Sequence, residues 1–387
     1  MKVKLRNPER IAEVPGPAPV SRVLSKLDIN PETVLVIHDG ALITKDHVVP
    51  DDAELEVRPV ISGGAGPARC HACDQTSIIE IARNRAAYCP EHFIDHVRKQ
   101  VREAIDQHRM LSYDDRILVA VSGGKDSLAL WDILLDMGYR ADGLYLGLGI
   151  GEYSDRSEQI VREFATRRGQ HLHLVDLAAE HGFDIPQAST VRTRSSCGVC
   201  GLSKRYVFNR IAVERGYDAM ATGHNLDDEA ATLLGNVLRW QTPFMARQSP
   251  ALPAEAGMAR KVKPLYRLGE RETAAYCVIT GLDYVVEECP LVAGNTVLRY
   301  KDALNELERH SPGTKAAFLF GFLDRAQREH FSAADARDRD VVACTRCELP
   351  TSHRGEGPAV CAFCRTRERL TKTLAARARR EREAAPA

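Results

Sequence analysis

The stretch Val119–Leu128, VAVSGGKDSL, limits what this chain of 387 residues can fold into more than any other. Before it, Arg116–Val121 (RILVAV) is short, apolar and β-branched, the composition of a strand buried on both faces. After it, LALWDILLDMG carries apolar residues at helical spacing and stops at Gly138. A strand that breaks at paired glycines and feeds a helix N-terminus turns backbone N–H groups and the positive end of a helix dipole toward an anion. Gly123 and Gly124 let the backbone approach phosphate oxygens, Ser122 and Ser127 add hydroxyl donors, and Lys125 supplies a point charge. The Walker A spacing, GxxxxGK followed by Ser or Thr, is absent. An ordinary β–turn–α corner needs one or two of these features; all of them together predict a phosphate site.

The run SGGKDS after a strand resembles the PP-loop of the ATP pyrophosphatase superfamily. That resemblance implies an ATP site and a reaction in which a substrate is adenylated and pyrophosphate leaves.

At this length two to four modules are expected. Hydrophobic residues make up 44% and charged residues 27%, as in ordinary soluble domains. No apolar run reaches membrane-spanning length, and MKVKLRNPER lacks the apolar core of a signal peptide. The expectation is a cytoplasmic protein with no membrane partner. Lys plus Arg and Asp plus Glu both number 53, so any nucleic-acid contact must come from local patches. Most of the eleven cysteines fall in CxxC pairs, which without an export signal favours metal ligation over disulfides.

Residues 1–64 read as one unit. KVKL and RIAEV suit a hairpin, VSRVLSKLDI a short amphipathic helix, and TVLVIHDG and AELEVRPVI later strands. The order ββαββ, with PETVLVIHDG and an ending in ISGG, resembles the ubiquitin-like sulfur carriers of the β-grasp fold. In such carriers the terminal Gly–Gly becomes a thiocarboxylate. Here Gly63–Gly64 is internal and runs into AGPAR, so two readings stand: a linker and relic, or a site where a protease frees the end.

Residues 68–110 follow. Cys70, Cys73, Cys89 and His92 form two CxxC-like knuckles with tetrahedral reach, the pattern of a structural zinc site, and Phe93–Met110 has helical periodicity. In 111–335, strands and helices alternate. GLYLGLGI, HLHLVDL, DAMATGH and DYVVEE are the strand candidates, and Gln248–Met258 reads as a mobile surface loop. Alternation predicts an α/β, doubly wound parallel sheet with ligands at the C-terminal strand ends, near Leu146, Gly223 and the loop after Ser122. In 340–387, Cys344, Cys347, Cys361 and Cys364 have zinc-ribbon spacing. The arginine-rich Arg365–Arg382 beside them reads as a basic helix, either solvated or gripping nucleic-acid backbone.

Cys197, Cys200 and Cys289 fall outside both quartets. Three thiolates can hold a 4Fe–4S cluster with one iron open, while the CxxC pair alone could be a redox or persulfide-carrying dithiol. Cys277, among apolar helical neighbours, suits the core. Lys204 lies one turn after Cys200 on the same predicted helix. Asp227, Asp228 and Glu229 start another helix, where carboxylates can hold Mg2+ or simply cap.

The zinc knuckles, SGGKDS, CxxCGxxKRY, GHNLDDEA, a later Cys–Pro and a zinc ribbon occur in one order that is similar to the tRNA 2-thiouridine synthetases, over roughly Cys70 to Cys364. The resemblance implies that Cys197, Cys200 and Cys289 ligate a 4Fe–4S cluster, and that the two quartets hold two Zn2+. It implies an ATP site along Ala120, Val121, Ser122, Gly123, Gly124, Lys125, Asp126, Ser127, Leu146, Gly223 and Asp228. Ser122, Lys204 and Asp228 are implied to assist catalysis. The implied reaction is adenylation of a uridine C2 oxygen by ATP with Mg2+, then replacement by sulfur, leaning to tRNA position 54 over the wobble uridine. Partners on this reading are tRNA, a sulfur donor (a carrier thiocarboxylate or sulfide), a carrier-activating enzyme and a second copy of the chain. Two rivals fit parts of the pattern: a PP-loop ligase that uses ammonia or an amine, and a non-catalytic RNA-binding scaffold.

Overall fold

A computed structural model describes residues 1–6, 9–29, 31, 34–59, 69–191, 195–255, 257–292, 296–331, 341–353 and 356–384. The paired Gly63–Gly64 lies outside them.

The first unit is built from β1 (Lys2–Arg6), β2 (Glu9–Glu13), α1 (Val20–Lys26), β3 (Val34–His38), β4 (Ala41–Ile43) and β5 (Glu54–Pro59). The sheet order is β2-β1-β5-β3-β4, with β5 parallel to β1 and antiparallel to β3. A last strand inserted beside the first, under one crossing helix, is the β-grasp arrangement. Alternation in β1 sends Val3 and Leu5 inward with Val23, Leu24, Leu55 and Val57, which makes a small core of its own.

The other sheet face carries apolar residues too, and they are not left in water. Leu35, Ile37 and Leu42 join the main core of the molecule with Ile79 and Ile81 from the hairpin β6 (Ile79–Ile81) and β7 (Ala86–Tyr88). Burying a leucine or isoleucine contributes about 1.5–3 kcal/mol, so three of them hold the first unit firmly. At the end of β5 the Arg58 guanidinium lies 5.8 Å from the centre of the Tyr284 ring.

Helix α2 (Pro90–His108) follows, with Pro90 at its first turn and Phe93, Val97, Val101, Ala104 and Ile105 on its buried stripe. The large sheet then starts with β8 (Arg116–Val121) and α3 (Lys125–Asp136), β9 (Arg140–Gly147) and α4 (Gly151–Arg168), and β10 (Leu172–Asp176). It continues with α5 (Ser196–Glu214), β11 (Ala219–Thr222), α6 (Leu226–Leu238), β12 (Ala251–Leu252), β13 (Arg260–Val262) and α7 (Glu270–Thr280). The order is β10-β9-β8-β11-β13-β12, parallel except for the edge strand β12. This is the expected doubly wound sheet, and β8 at its centre is buried on both faces.

Two expectations change. Asp283–Glu288 is not a strand; Tyr284 and Val285 are buried, but the segment crosses the loop after β8 and makes one backbone bond there, Val285 N–H to Gly123 O at 2.9 Å. Apolar β-branched residues signalled burial there, not a ladder. Within Gln248–Met258, Ala251 and Leu252 form β12, so that stretch closes the sheet edge.

Helices α8 (Thr296–His310) and α9 (Thr314–Gly321) pack on α6. The last unit pairs β14 (Val341–Ala343) with β15 (Pro350–Ser352) and ends in α10 (Ala362–Ala384). Phe363 and Leu370 of α10 are buried in a second core with Val199, Val207 and Phe208 of α5, and Leu374 packs against it. The basic helix is therefore docked on one side, and Arg377 donates to both oxygens of Thr190. No helix among the described residues is long and apolar enough to cross a membrane.

Candidate functional site

The loop between β8 and α3 has the geometry its sequence promised. Gly123 has φ +78°, and a Cβ there would lie 2.9 Å from the Ser157 carbonyl oxygen, so both conformation and space require glycine. Ser122 N–H donates to Ser127 Oγ at 3.1 Å, and Ser127 Oγ donates to Gly124 O at 2.9 Å, which closes the turn. The first-turn N–H groups of α3 lack intrahelical acceptors and point out of this turn. From the neighbouring strand end, Gly223 touches the same turn: a Cβ on it would lie 2.8 Å from Asp126 C and Ser127 N. Val121 and Leu146 are buried apolar floor beside it, and Ala120 is partly buried.

Lys125 and Asp126 are engaged by side chains at the starts of α6 and α7. The Lys125 ammonium is 2.7 Å from Glu270 Oε1 and 3.2 Å from Asp126 Oδ2. Burial disfavours that charge, yet Asp126 and Glu270 raise the amine well above its ordinary value. Asp126 Oδ1 accepts from Thr273 Oγ1 at 2.5 Å and from Asn225 Nδ2 at 3.0 Å. Asp126 thus ties α3 to the starts of α6 and α7.

The acidic run at the start of α6 fans out around one turn, and each member meets a different lysine. Asp227 is buried and pairs with Lys315 of α9; Asp228 Oδ1 is 2.7 Å from Lys301 of α8; Glu229 Oε2 is 2.8 Å from Lys263. Burial pushes the Asp227 carboxyl up while Lys315 opposes it. Asp228 and Asn225 also complete a reciprocal capping box at 3.0 and 3.2 Å. Of the two roles open from composition, capping is present.

Helix α5 begins at Ser196, with the Ser195 hydroxyl accepting from Gly198 N–H at 3.1 Å. That start exposes Cys197 and leaves Cys200 and Lys204 half-buried on successive turns. Cys289, also half-buried, comes to the same place. Burial first, then the nearby Cys200 and Cys289 sulfurs, push the Cys197 thiol up, and Lys204 pulls it down. Tyr153 of α4 faces Cys289 and Cys200, which raise its hydroxyl further after burial. The three thiols are not packed as tightly as the ligands of a single ion. A cube of four irons spreads its thiolates wider than one ion does, so a convergent but open set suits it.

The two quartets are tight. In Cys70, Cys73, Cys89 and His92, and in Cys344, Cys347, Cys361 and Cys364, all ligand atoms of a set lie within 4.8 Å of one another. Donors of this kind and number suit one tetrahedral ion each. Cys344 Sγ accepts from the N–H groups of Arg346 and Cys361 at 3.4 and 3.2 Å; against burial, such bonds bring its thiol down to about 6. Cys277 is fully buried in α7, as expected of a core residue.

The C-terminal quartet reaches α5 through Tyr206. Its ring stacks on Phe363 at 3.8 Å and 9°, and its hydroxyl faces the Cys347 thiol, which with burial raises that hydroxyl. Replacing Cys361 by Ser should therefore loosen α5 as well as the ribbon. Amide exchange across residues 203–210 is expected to rise on the order of 10-fold, read by hydrogen-exchange mass spectrometry; unchanged protection would show that the ribbon holds only itself.

Residues 94–294 match the PP-loop domain family, and residues 69–94 match the N-terminal LIM domain of the 2-thiouridine synthetase TtuA. The tRNA-5-methyluridine(54) 2-sulfurtransferase of Thermus thermophilus is 47% identical over 296 residues, 76% of this chain and 90% of that protein. The chain belongs to the PP-loop tRNA 2-sulfurtransferases. Its counterpart from Pyrococcus horikoshii is 40% identical over 77% of this sulfurtransferase and 93% of that one. The solved U34-tRNA thiolase NcsA of Methanococcus maripaludis, with its [4Fe-4S] cluster, shares the fold at TM-score 0.61, 24% identity, 70% coverage of this chain and 92% of that chain. Sequence reasoning missed Glu270, Lys301 and Tyr153 in this enzyme. Only the acidic start of α7, GERET, hinted at the first.

Proposed function

We propose that this sulfurtransferase thiolates C2 of the uridine at tRNA position 54 in an ATP-dependent reaction that forms AMP and pyrophosphate. The observation that carries the reading is the tether between the two halves of the site. Val285, four residues before Cys289, is hydrogen-bonded to Gly123 of the phosphate loop. Ala120, Cys200, Cys289 and Tyr153 pack against one core, which supports placing nucleotide and sulfur chemistry side by side. The position follows the names of the 47% and 40% identical relatives.

The uracil C2 oxygen is a poor leaving group. The loop amides with Ser122 and Ser127 hold the triphosphate, the C2 oxygen attacks the α-phosphorus, and pyrophosphate leaves. Asp228 would help hold Mg2+ arriving with ATP, which would supply charge neutralisation of the phosphates. Sulfur then attacks C2 and AMP departs, with the Lys204 ammonium placed to balance the negative charge. A 4Fe–4S cluster held by Cys197, Cys200 and Cys289 supplies, when bound, an iron with no protein ligand where sulfide can sit. Each quartet would hold one zinc ion, which would supply structural cross-linking. The zinc units and the arginine face of α10 grip tRNA by shape and phosphate contacts. The β-grasp unit acts uncleaved, as a positioning element, in the cytoplasm.

The test is anaerobically reconstituted protein with tRNA, ATP and sulfide, followed by nucleoside and site-mapping mass spectrometry. One AMP per 2-thiouridine at position 54 is the expected result. Sulfur at position 34 would overturn the choice of site, and incorporation of ammonia would overturn the reaction class.

A further inference from the structure

Behind the loop, three ammonium groups face four carboxylates. Lys125, Lys301 and Lys315 meet Asp126, Asp227, Asp228 and Glu270, drawn from α3, α6, α7, α8 and α9. Most are buried pairs of the kind that stabilise one arrangement and fail badly when one partner is removed. Among these four carboxylates, Glu270 is the one paired with two of the lysines. Its Oε1 is 2.7 Å from Lys125 of the phosphate loop, and its Oε2 is 3.1 Å from Lys301. Lys301 in turn is 2.7 Å from Asp228. Burial pushes the Glu270 carboxyl up, but the two lysines hold it down to about 2, so it stays ionised.

These contacts form a chain: phosphate loop, Lys125, Glu270, Lys301, Asp228. We infer that Lys301 and Glu270 are positioning residues that fix the Asp228 carboxylate relative to the phosphate loop. This rests on the reading of Asp228 as a residue of the nucleotide site. Neither end of the chain can reorient by itself. The capping box holds Asp228 through Oδ2 and Lys301 holds it through Oδ1. Glu270 is fixed at the first turn of α7, whose N-terminus is locked by Glu270 N–H donating to Asp227 Oδ2 at 2.8 Å. Lys301 comes from α8, which packs along α6 because Gly235 leaves room for the Tyr300 ring; a Cβ there would lie 2.8 Å from it.

The test uses full-length protein and tRNA-dependent AMP formation with ATP varied. Lys301→Met should lower kcat on the order of 10-fold to 100-fold, the cost of a misplaced catalytic group, with KM for ATP little changed. Lys301→Arg should recover part of it. In an Asp228→Asn background, Lys301→Met should add nothing. A full additional loss in that background, or a raised KM with normal kcat, would overturn the proposal and make Lys301 a direct phosphate ligand. If Lys301→Met does not fold, Glu270→Gln in the same two backgrounds decides by the same non-additivity. Asp228→Asn with undiminished kcat would instead remove Asp228 from the reaction; an inactive Asp228→Asn beside a fully active Lys301→Met would sink the positioning role alone.

Discussion

Gly223→Ala should reduce tRNA-dependent AMP formation about 100-fold while the protein stays folded. The added Cβ would meet Asp126 C and Ser127 N at 2.8 Å and Asp126 O at 2.9 Å. All three are backbone atoms, so no rotamer change relieves the clash; either β11 or the first turn of α3 must move. The turn is the softer of the two, because β11 is paired on both sides by β8 and β13. Its movement displaces the amides that hold phosphate. Overpacking costs about 1–3 kcal/mol of stability, too little to unfold a domain of this size. Gly138→Ala is the control: its φ of +86° makes alanine strained, but nothing lies within 4 Å. If Gly223→Ala keeps activity within about threefold of the parent while Gly138→Ala behaves the same, the turn is not the phosphate site.

Cys197→Ala is expected to abolish both iron binding and thiolation, with zinc content unchanged. Cys197 is exposed at the start of α5 and closes no core contact, so its loss leaves the fold intact. Both quartets are complete without it. The partner variant separates the two chemistries that a CxxC pair allows. A persulfide-carrying dithiol needs only Cys197 and Cys200, so Cys289→Ala would then spare the reaction. A three-thiolate cluster loses a ligand in either variant, and both should be colourless and inactive. Iron retained in Cys197→Ala, measured beside zinc by elemental analysis, would remove these cysteines from the cluster.

Much of this site was legible because its signals are local. The phosphate loop is spelled by six adjacent residues, and each quartet by ligands close along the chain. The parallel sheet followed from alternation of strand and helix patterns, which also put Cys200 and Lys204 on one helix, now α5. What could not be read joins distant parts of the chain. Nothing in SGGKDS says that the Lys125 ammonium turns inward to Glu270, 145 residues away. Lys301 looks like any lysine on an amphipathic helix until α8 is laid against α6. Asp283–Glu288 misled for a physical reason. Buried β-branched residues mark a strand only when a neighbouring strand offers a ladder, and here the neighbour is a loop that accepts one bond.

The union of the β-grasp face with the main core has a kinetic meaning. Leu35, Ile37 and Leu42 are interior residues of the whole molecule. A carrier that circulates between an activating enzyme and several clients must dissociate from each, and its supply is set by mass action. If the unit acts uncleaved, as proposed above, one seated on its neighbour by shared interior packing would have no departure step. Its local concentration would then be fixed at one copy per chain, whatever the abundance of free carriers.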